Sequence, residues 1–265
     1  MRLACSTFPF QGLPLAETFI QIHELGFRYS DLVISHDPRW GHIQPEQVLN
    51  DPLPVLEQLE EAEAKSRVKI AAFNVSLEMA SISERGQFEA VCKLARRMRV
   101  PLINVVAGER DELVEFRRLR DFHALAAECG ALLAVETYVP SLFARPKQAA
   151  ELAEALRGTR LTLDTGHLLQ QGIAMEAWEP LYPHVGHVHV KDAGPTLDRY
   201  QVPFGEGGLQ VGTLVEALRH VRFGGTLSIE YAGSRPGDAI RIEADTEIAR
   251  VRQALLAAAP ELGEG

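Results

Sequence analysis

The sequence predicts an α/β fold, a single (β/α)8 barrel, and three observations carry that expectation. Short apolar runs and amphipathic stretches alternate along the whole chain, eight of each, which is the pattern of a parallel sheet with helical crossovers. At 265 residues the chain has the length of one such barrel rather than of two domains. An open doubly wound sheet is the other arrangement that fits the alternation. However, no GxGxxG follows the first strand and no phosphate-binding GxxxxGKS/T occurs, so the usual nucleotide reasons for an open sheet are missing.

Strand one is RLACST (2–7). The helix after it, PLAETFIQIHELGF (14–27), has Pro14 near its start and Gly26 just past its end, the position each residue favours. YSDLVIS (29–35) reads as strand two, and its following loop, HDPRWGHIQPEQ, is long and holds His36, Trp40 and His42. A helix from about Leu53 to Lys65 leads into strand three, VKIAAFNVS (68–76). Ser83 stands where an N-cap belongs, before a helix running to about Met98 whose basic last turn, KLARRMR, suits the helix dipole. Strand four is PLINVVAG (101–108), and the amphipathic EFRRLRDFHALAAECG (115–130) closes at Gly130. LLAVETY, LTLDTG, VGHVHVKD and TLSIEYAG supply strands five to eight, with helices between them and a last helix from about Ile240 to Leu256. The chain is expected to be one domain over 1–265, with the Gly- and Glu-rich tail after Pro260 disordered.

Bulk properties narrow the function classes. Hydrophobic residues at 46% supply a large core, and a net charge of -9 disfavours a nucleic-acid partner, since phosphate binding needs a basic surface. Cys5, Cys92 and Cys129 have no CxxC spacing and lie in apolar contexts, as buried reduced thiols do. The N-terminus, MRLACSTFPFQGLP, lacks the apolar stretch of a signal peptide, and no run elsewhere is long enough to span a bilayer. A cytoplasmic protein with no membrane partner is expected, and homo-oligomerisation is left open.

Chemistry is concentrated in the second half. LLAVE ends at Glu136, RLTLD at Asp164, GHVHV carries His189 and TLSIE ends at Glu230. Singly, each reads equally well as a rim salt bridge or a satisfied core histidine. Together they stand at the same end of four consecutive strands, and such residues converge on one point if the strands close into a barrel. Three carboxylates and one imidazole make an oxygen-rich site that suits one divalent ion, Mn²⁺ first, with Mg²⁺, Co²⁺ and Zn²⁺ also compatible. His187 and His189 lie two apart on one strand and share a face. With His189 at the mouth, His187 sits one layer deeper and is expected to be structural.

LTLDTGHLL (161–169), HVHVKD (187–192), the AVE of strand five and the SIE of strand eight resemble the xylose-isomerase-like TIM-barrel superfamily. That group includes sugar and sugar-phosphate isomerases and epimerases, hydroxypyruvate isomerases, inosose and dehydroshikimate dehydratases, and AP endonucleases. The resemblance spans nearly the whole chain, and its motifs mark the superfamily without separating its members. It implies a single divalent ion held by Glu136, Asp164, His189 and Glu230, with His167 as a substrate contact. It also implies a metal-dependent isomerase or epimerase of a small sugar, sugar phosphate or related hydroxy-carbonyl compound, with Glu136 and Glu230 moving the proton. A dehydratase of the inosose or dehydroshikimate type, using the same metal and Glu pair, is the alternative. A carbohydrate-binding barrel without turnover is the third reading.

Further candidates are weaker. Alternation turns Lys191 inward, toward a substrate or into a barrel salt bridge. Trp40 is placed to stack on a sugar or to pack against the surface. Arg199 and Arg235, on the loops after strands seven and eight, are placed to grip an anionic group or to stay solvated. Glu206, in PFGEGGL, reads as a turn residue. The pattern departs from two branches of the superfamily. Ketose epimerases resembling tagatose epimerase carry a Glu six residues after the strand-five ligand and an Arg six after the strand-seven His, where this chain has Leu142 and Pro195. The extra metal-binding histidines of the AP endonucleases are absent, with Asn74 and Asn104 on strands three and four. Both departures weigh against those substrates, and the second weighs against DNA cleavage.

Overall fold

Eight parallel strands pair in sequence order, and the first returns to the last, so the sheet has no edge. They are β1 (Arg2–Ser6), β2 (Tyr29–Ser35), β3 (Lys69–Ser76), β4 (Leu102–Val105), β5 (Leu132–Glu136), β6 (Arg160–Asp164), β7 (Val185–Val190) and β8 (Thr226–Ile229). Closure rests on the pairing of β1 with β8, from Arg2 opposite Thr226 to Cys5 opposite Ile229. The computed structural model describes residues 1–109, 111–233 and 240–263. The expected (β/α)8 barrel is the observed one.

Helices α1 (Leu15–Glu24), α2 (Pro45–Asn50), α3 (Pro52–Ser66), α4 (Glu84–Met98), α5 (Glu112–Glu128), α6 (Pro146–Ala155), α7 (Thr165–Leu169), α8 (Val211–His220) and α9 (Ala244–Ala258) connect the strands. The outward side chains of the strands, such as Leu32, Phe73, Ile103, Leu133 and Leu163, are fully buried against helix residues such as Phe19, Leu59, Phe88 and Phe122. This sheet-to-helix layer is the main core. A separate small cluster of Ala72, Leu102 and Ala134 lies two residues before Asn74, Asn104 and Glu136 on their strands. Period-two alternation puts each pair on one face, so an apolar layer of the barrel underlies a polar one.

The structure differs from the sequence reading in several local details. The long loop after β2 contains α2, which starts with Pro45 and a capping box in which Gln44 and Gln47 satisfy each other's backbone amides. Ser83 precedes α4 but does not cap it; its backbone is already helical and its hydroxyl meets Ser81 Oγ at 3.0 Å. Asp111 starts α5 earlier than the amphipathic pattern suggested, accepting from the amides of Leu113 (3.0 Å) and Val114 (3.3 Å). Between β6 and β7 the crossover is the single-turn α7 followed by a 3-10 segment, Met175–His184. Pro180 and Pro183 inside that segment remove the amides a regular α-helix needs. The tail is ordered further than expected: Pro260–Gly263 forms a 3-10 turn that buries Leu262, because that leucine finds apolar cover. Cys5 and Cys92 are buried free thiols and Cys129 is half-buried. No described helix is long and apolar enough to cross a membrane.

Candidate metal centre

Glu136 and Asp164 close β5 and β6, His189 is the fifth residue of β7, and Glu230 directly follows β8. Asp164 pairs with His189, while Glu136 pairs with Thr162 and His189 with Ser228, so Glu136 and Glu230 are each offset by two residues in the ladder. One ligand atom from each of the four lies within 4.8 Å of the others. His189 Nδ1 faces the three carboxylates at 3.5 Å from Glu136 Oε2, 3.7 Å from Asp164 Oδ2 and 3.5 Å from Glu230 Oε2. That nitrogen is fully buried and makes no hydrogen bond. A buried ring nitrogen that makes no hydrogen bond and is aimed at three carboxylates fits a divalent cation.

Asp31 explains why Nδ1 faces the centre. Its Oδ2 accepts from His189 Nε2 at 3.0 Å and from His187 Nε2 at 2.9 Å, and all three side chains are buried. A hydrogen at Nε2 leaves the Nδ1 lone pair as the ligand when the ring is neutral. Burial alone would raise the Asp31 carboxyl, but the two histidines hold it well below the ordinary range. Burial would likewise depress His189. The charges of Glu230 and Glu136 instead hold its pKa well above the usual imidazole value, so coordination releases a proton. His187 itself is depressed by burial, as befits a structural histidine.

Amides from β3 and β4 hold the glutamates. Asn104 Nδ2 donates to Glu136 Oε2 (2.8 Å) and to Asn74 Oδ1 (3.0 Å), and Asn74 Nδ2 donates to Glu230 Oε1 (3.0 Å). Ser6 Oγ reaches the same Glu230 oxygen at 3.4 Å. Burial raises Glu230, and the neighbouring Glu136 and Asp164 add to the rise against the opposing pull of His189 and Lys191. Glu136 is lowered, because the neighbouring His189 outweighs its burial.

Of the sequence-predicted contacts, His167, Lys191 and Trp40 line the cavity above the centre, together with Glu136, Glu230 and Tyr138; its volume is about 490 Å³. Asp164 Oδ1 accepts from the His167 amide at 2.8 Å and so starts α7, which explains the two-residue spacing between them. His167 Nδ1 meets the Gln170 amide nitrogen at 2.6 Å, leaving Nε2 3.8 Å from Glu136 Oε1. Burial depresses the His167 pKa and keeps the ring neutral. Trp40 stacks on Phe8 with ring centroids 5.3 Å apart and 13° between planes.

Arg199 is not brought to the cavity. Its turn, Leu197–Arg199, folds back so that the Gly194 amide donates to the Arg199 carbonyl (2.9 Å), and its side chain lies over Gly194 where no Cβ intervenes. Arg235 lies outside the described residues. Glu206 sits exposed in a turn closed by its amide on the Pro203 carbonyl. The Gly-rich loop is instead organised by Asp192, whose carboxylate accepts from the amides of Gly205 (2.9 Å), Gly207 (3.1 Å) and Leu209 (2.9 Å). The sequence reading missed Asp31 and the two asparagines as partners of the centre. A lone acid within the apolar DLVIS, and an asparagine at the same depth in strands three and four, were the available signals.

The chain is a closed eight-stranded barrel with Glu, Asp, His and Glu at the C-terminal ends of β5 to β8, a group that could hold a metal ion. The chain belongs to the xylose isomerase-like TIM barrel family, whose model matches residues 19–255. Among solved structures it is similar to a xylose isomerase-like TIM barrel protein from Mycobacterium smegmatis in complex with magnesium. The two are 15% identical over 97% of this chain and 95% of that one, with a TM-score of 0.74. A probable 3-DHS dehydratase, AsbF, involved in petrobactin synthesis in Bacillus anthracis, is 16% identical over 96% and 98%, with a TM-score of 0.72. The 3-keto-D-glucoside 4-epimerase YcjR from E. coli is 17% identical over 97% and 99%, with a TM-score of 0.71. No curated protein matches the chain significantly by sequence.

Proposed function

We propose that this chain is a one-domain, divalent-metal-dependent isomerase or epimerase acting on a small polyhydroxy carbonyl compound, a sugar or a close relative. The observation that carries the reading is the buried, partnerless His189 Nδ1 facing Glu136, Asp164 and Glu230. Those four residues would hold the ion, with Mn²⁺ favoured for the oxygen-rich set and Mg²⁺, Co²⁺ or Zn²⁺ as alternatives. When bound, the cation supplies Lewis acidity, polarising a carbonyl and its neighbouring hydroxyl and acidifying the proton on the adjoining carbon.

The protein's own groups handle that proton. Glu136 and Glu230 project from β5 and β8, each with one oxygen fixed by an asparagine amide, so they approach a substrate from different sides. One removes the carbon-bound proton and the other returns it. Return to the opposite face of the same carbon is epimerisation, and return to the neighbouring carbon is aldose–ketose isomerisation. His167, neutral and with Nε2 toward the cavity, is suited to donate to a substrate oxygen. The Trp40 and Phe8 stack offers a face to a sugar ring. Similarity to a keto-glucoside epimerase supports the reading; similarity to a probable dehydratase keeps loss of a β-hydroxyl as the second outcome of the same proton removal. The three free thiols are in keeping with a cytoplasmic location.

The test begins with metal content per chain, wild type beside His189→Ala. About one ion, lost in the variant, is expected at a four-ligand site. The metal-loaded protein is then incubated in deuterated solvent with a panel of aldoses, ketoses and keto-sugars. Deuterium entering the recovered sugar, abolished in Glu230→Gln, is the expected result. A product lighter by one water identifies a dehydratase, and full exchange in Glu230→Gln refutes the two-glutamate mechanism.

A further inference from the structure

Lys191 brings a second cation to the centre on a scaffold that fixes its position. Its backbone is clamped by Thr165, whose hydroxyl donates to the Lys191 carbonyl (2.6 Å) and accepts from its amide (2.9 Å). Its methylene stem crosses Gly166, where a Cβ would meet Lys191 Cγ and Cε at 2.6 Å. The buried ammonium therefore ends between two ligand carboxylates, 2.6 Å from Asp164 Oδ2 and 3.1 Å from Glu230 Oε2. These are the same two oxygens that face His189 Nδ1.

A charge count sets the consequence. Glu136, Asp164 and Glu230 carry three negative charges, which one divalent ion and one ammonium together cancel. Metal and ammonium thus seek the same two oxygens, and each weakens the hold of the other in a site with little water to screen them.

We propose that Lys191 is an internal competitor for the metal: its ammonium pairs with Asp164 Oδ2 and Glu230 Oε2 in the metal-free protein, and a divalent ion binds by taking those oxygens from it. The inference rests on the metal-centre reading and adds that the site is tuned to hold its ion less tightly than its ligands allow. Asp164 and Glu230 also stay paired without the ion, so the centre does not fly apart when the ion leaves. An alternative role for Lys191, organising the carboxylates for the metal, predicts the opposite sign when the charge is removed.

The sign is read by calorimetric titration of metal-free protein with Mn²⁺. Lys191→Met, which keeps the length and removes the charge, is expected to bind Mn²⁺ about tenfold more tightly or better. Lys191→Arg, which keeps the charge, shows no such gain. Gly166→Ala, which crowds the stem without touching a ligand, gains in the same direction and carries the test if Lys191→Met does not fold. The metal-free Lys191→Met protein melts lower than wild type, because two buried carboxylates have lost their counter-ion, and Mn²⁺ raises its melting temperature more. Equal or weaker binding in Lys191→Met and Gly166→Ala, beside a wild type that binds Mn²⁺, overturns the competitor role and leaves the metal centre standing. A wild type that takes no ion while Lys191→Met takes one supports it. If none of the proteins binds Mn²⁺, both the competitor role and the metal centre fall.

Discussion

Asp31 acts on the centre through a ring nitrogen it never faces. One carboxylate oxygen receives both His187 Nε2 and His189 Nε2, so a single charge sets the orientation of two imidazoles. Asp31→Asn keeps the shape but replaces the charged acceptor with a weaker one, and its amide is free to present a donor instead. His189 is then no longer held to the tautomer that leaves Nδ1 for coordination. Mn²⁺ affinity is expected to fall about 10- to 100-fold, measured by titration of the variant beside wild type. The convergence of Glu136, Asp164, His189 and Glu230 was legible because each ends or nearly ends an apolar run. Asp31 was not, because its partners His187 and His189 lie on β7 and nothing local to β2 marks that meeting. The pairing of β2 with β3 slips by one residue at Ser30/Asp31, and that of β6 with β7 slips at Leu161/Thr162, just before His187. The first leaves Ala71 of β3 unpaired and the second leaves Gly186 of β7 unpaired directly before His187, and neither marks the hydrophobic periodicity.

At the level of elements, helix ends show the clearest disagreement between local preference and observed structure. Arg67 and Arg99 follow α3 and α4 with φ of 62° and 59°, and Arg222 lies beyond α8 with φ of 56°. Left-handed backbone at this position is the usual place for glycine, as Gly26 and Gly130 show here at 87° and 78°. An L side chain there costs about 1–2 kcal/mol, partly offset in a glycine variant by the extra freedom of its unfolded chain. Arg99 is exposed, so Arg99→Gly loses no packing. It is expected to stabilise the protein by about 0.5–1 kcal/mol, seen as a melting temperature raised by about 1–2 °C. The same reliance on local signals explains what was and was not legible in the helices. α5 is legible from its amphipathic period and α4 from its basic last turn. α2 is hidden in a polar loop, and the crossover between β6 and β7, expected to be helical, is largely 3-10, since Pro180 and Pro183 interrupt it.

For the whole molecule, barrel closure is what turns four separate strand ends into one centre. Alternation of strands and helices does not by itself establish closure; the pairing of Leu3 with Leu227 and its neighbours joins the ends. Because the ligands come from β5 to β8, an ion held by all four ties half of the barrel together and favours the folded state by mass action. At about 100 times its dissociation constant, Mn²⁺ should add about 2.7 kcal/mol. For a chain of 265 residues that corresponds to a melting temperature raised by about 4–6 °C, reversed by a chelator. The check is a thermal scan with and without Mn²⁺, with His189→Ala showing no shift.

The line of hydrogen bonds from Glu136 through Asn104 and Asn74 to Glu230 also bears on how this protein is free to diverge. Asn104 donates both to Glu136 and to Asn74, and Asn74 accepts from Asn104 and donates to Glu230, so the hydrogens run outward from Asn104 to both glutamates. Replacing either one with aspartate removes the donor to a glutamate and adds a buried negative charge beside it. Single steps through this stretch are therefore steeply uphill, while paired exchanges on neighbouring strands are not. Over descent, the two amides are expected to be inherited or replaced as a unit, and new substrate preferences to arise from the cavity rim around Trp40 and Tyr138, where changes carry no such penalty.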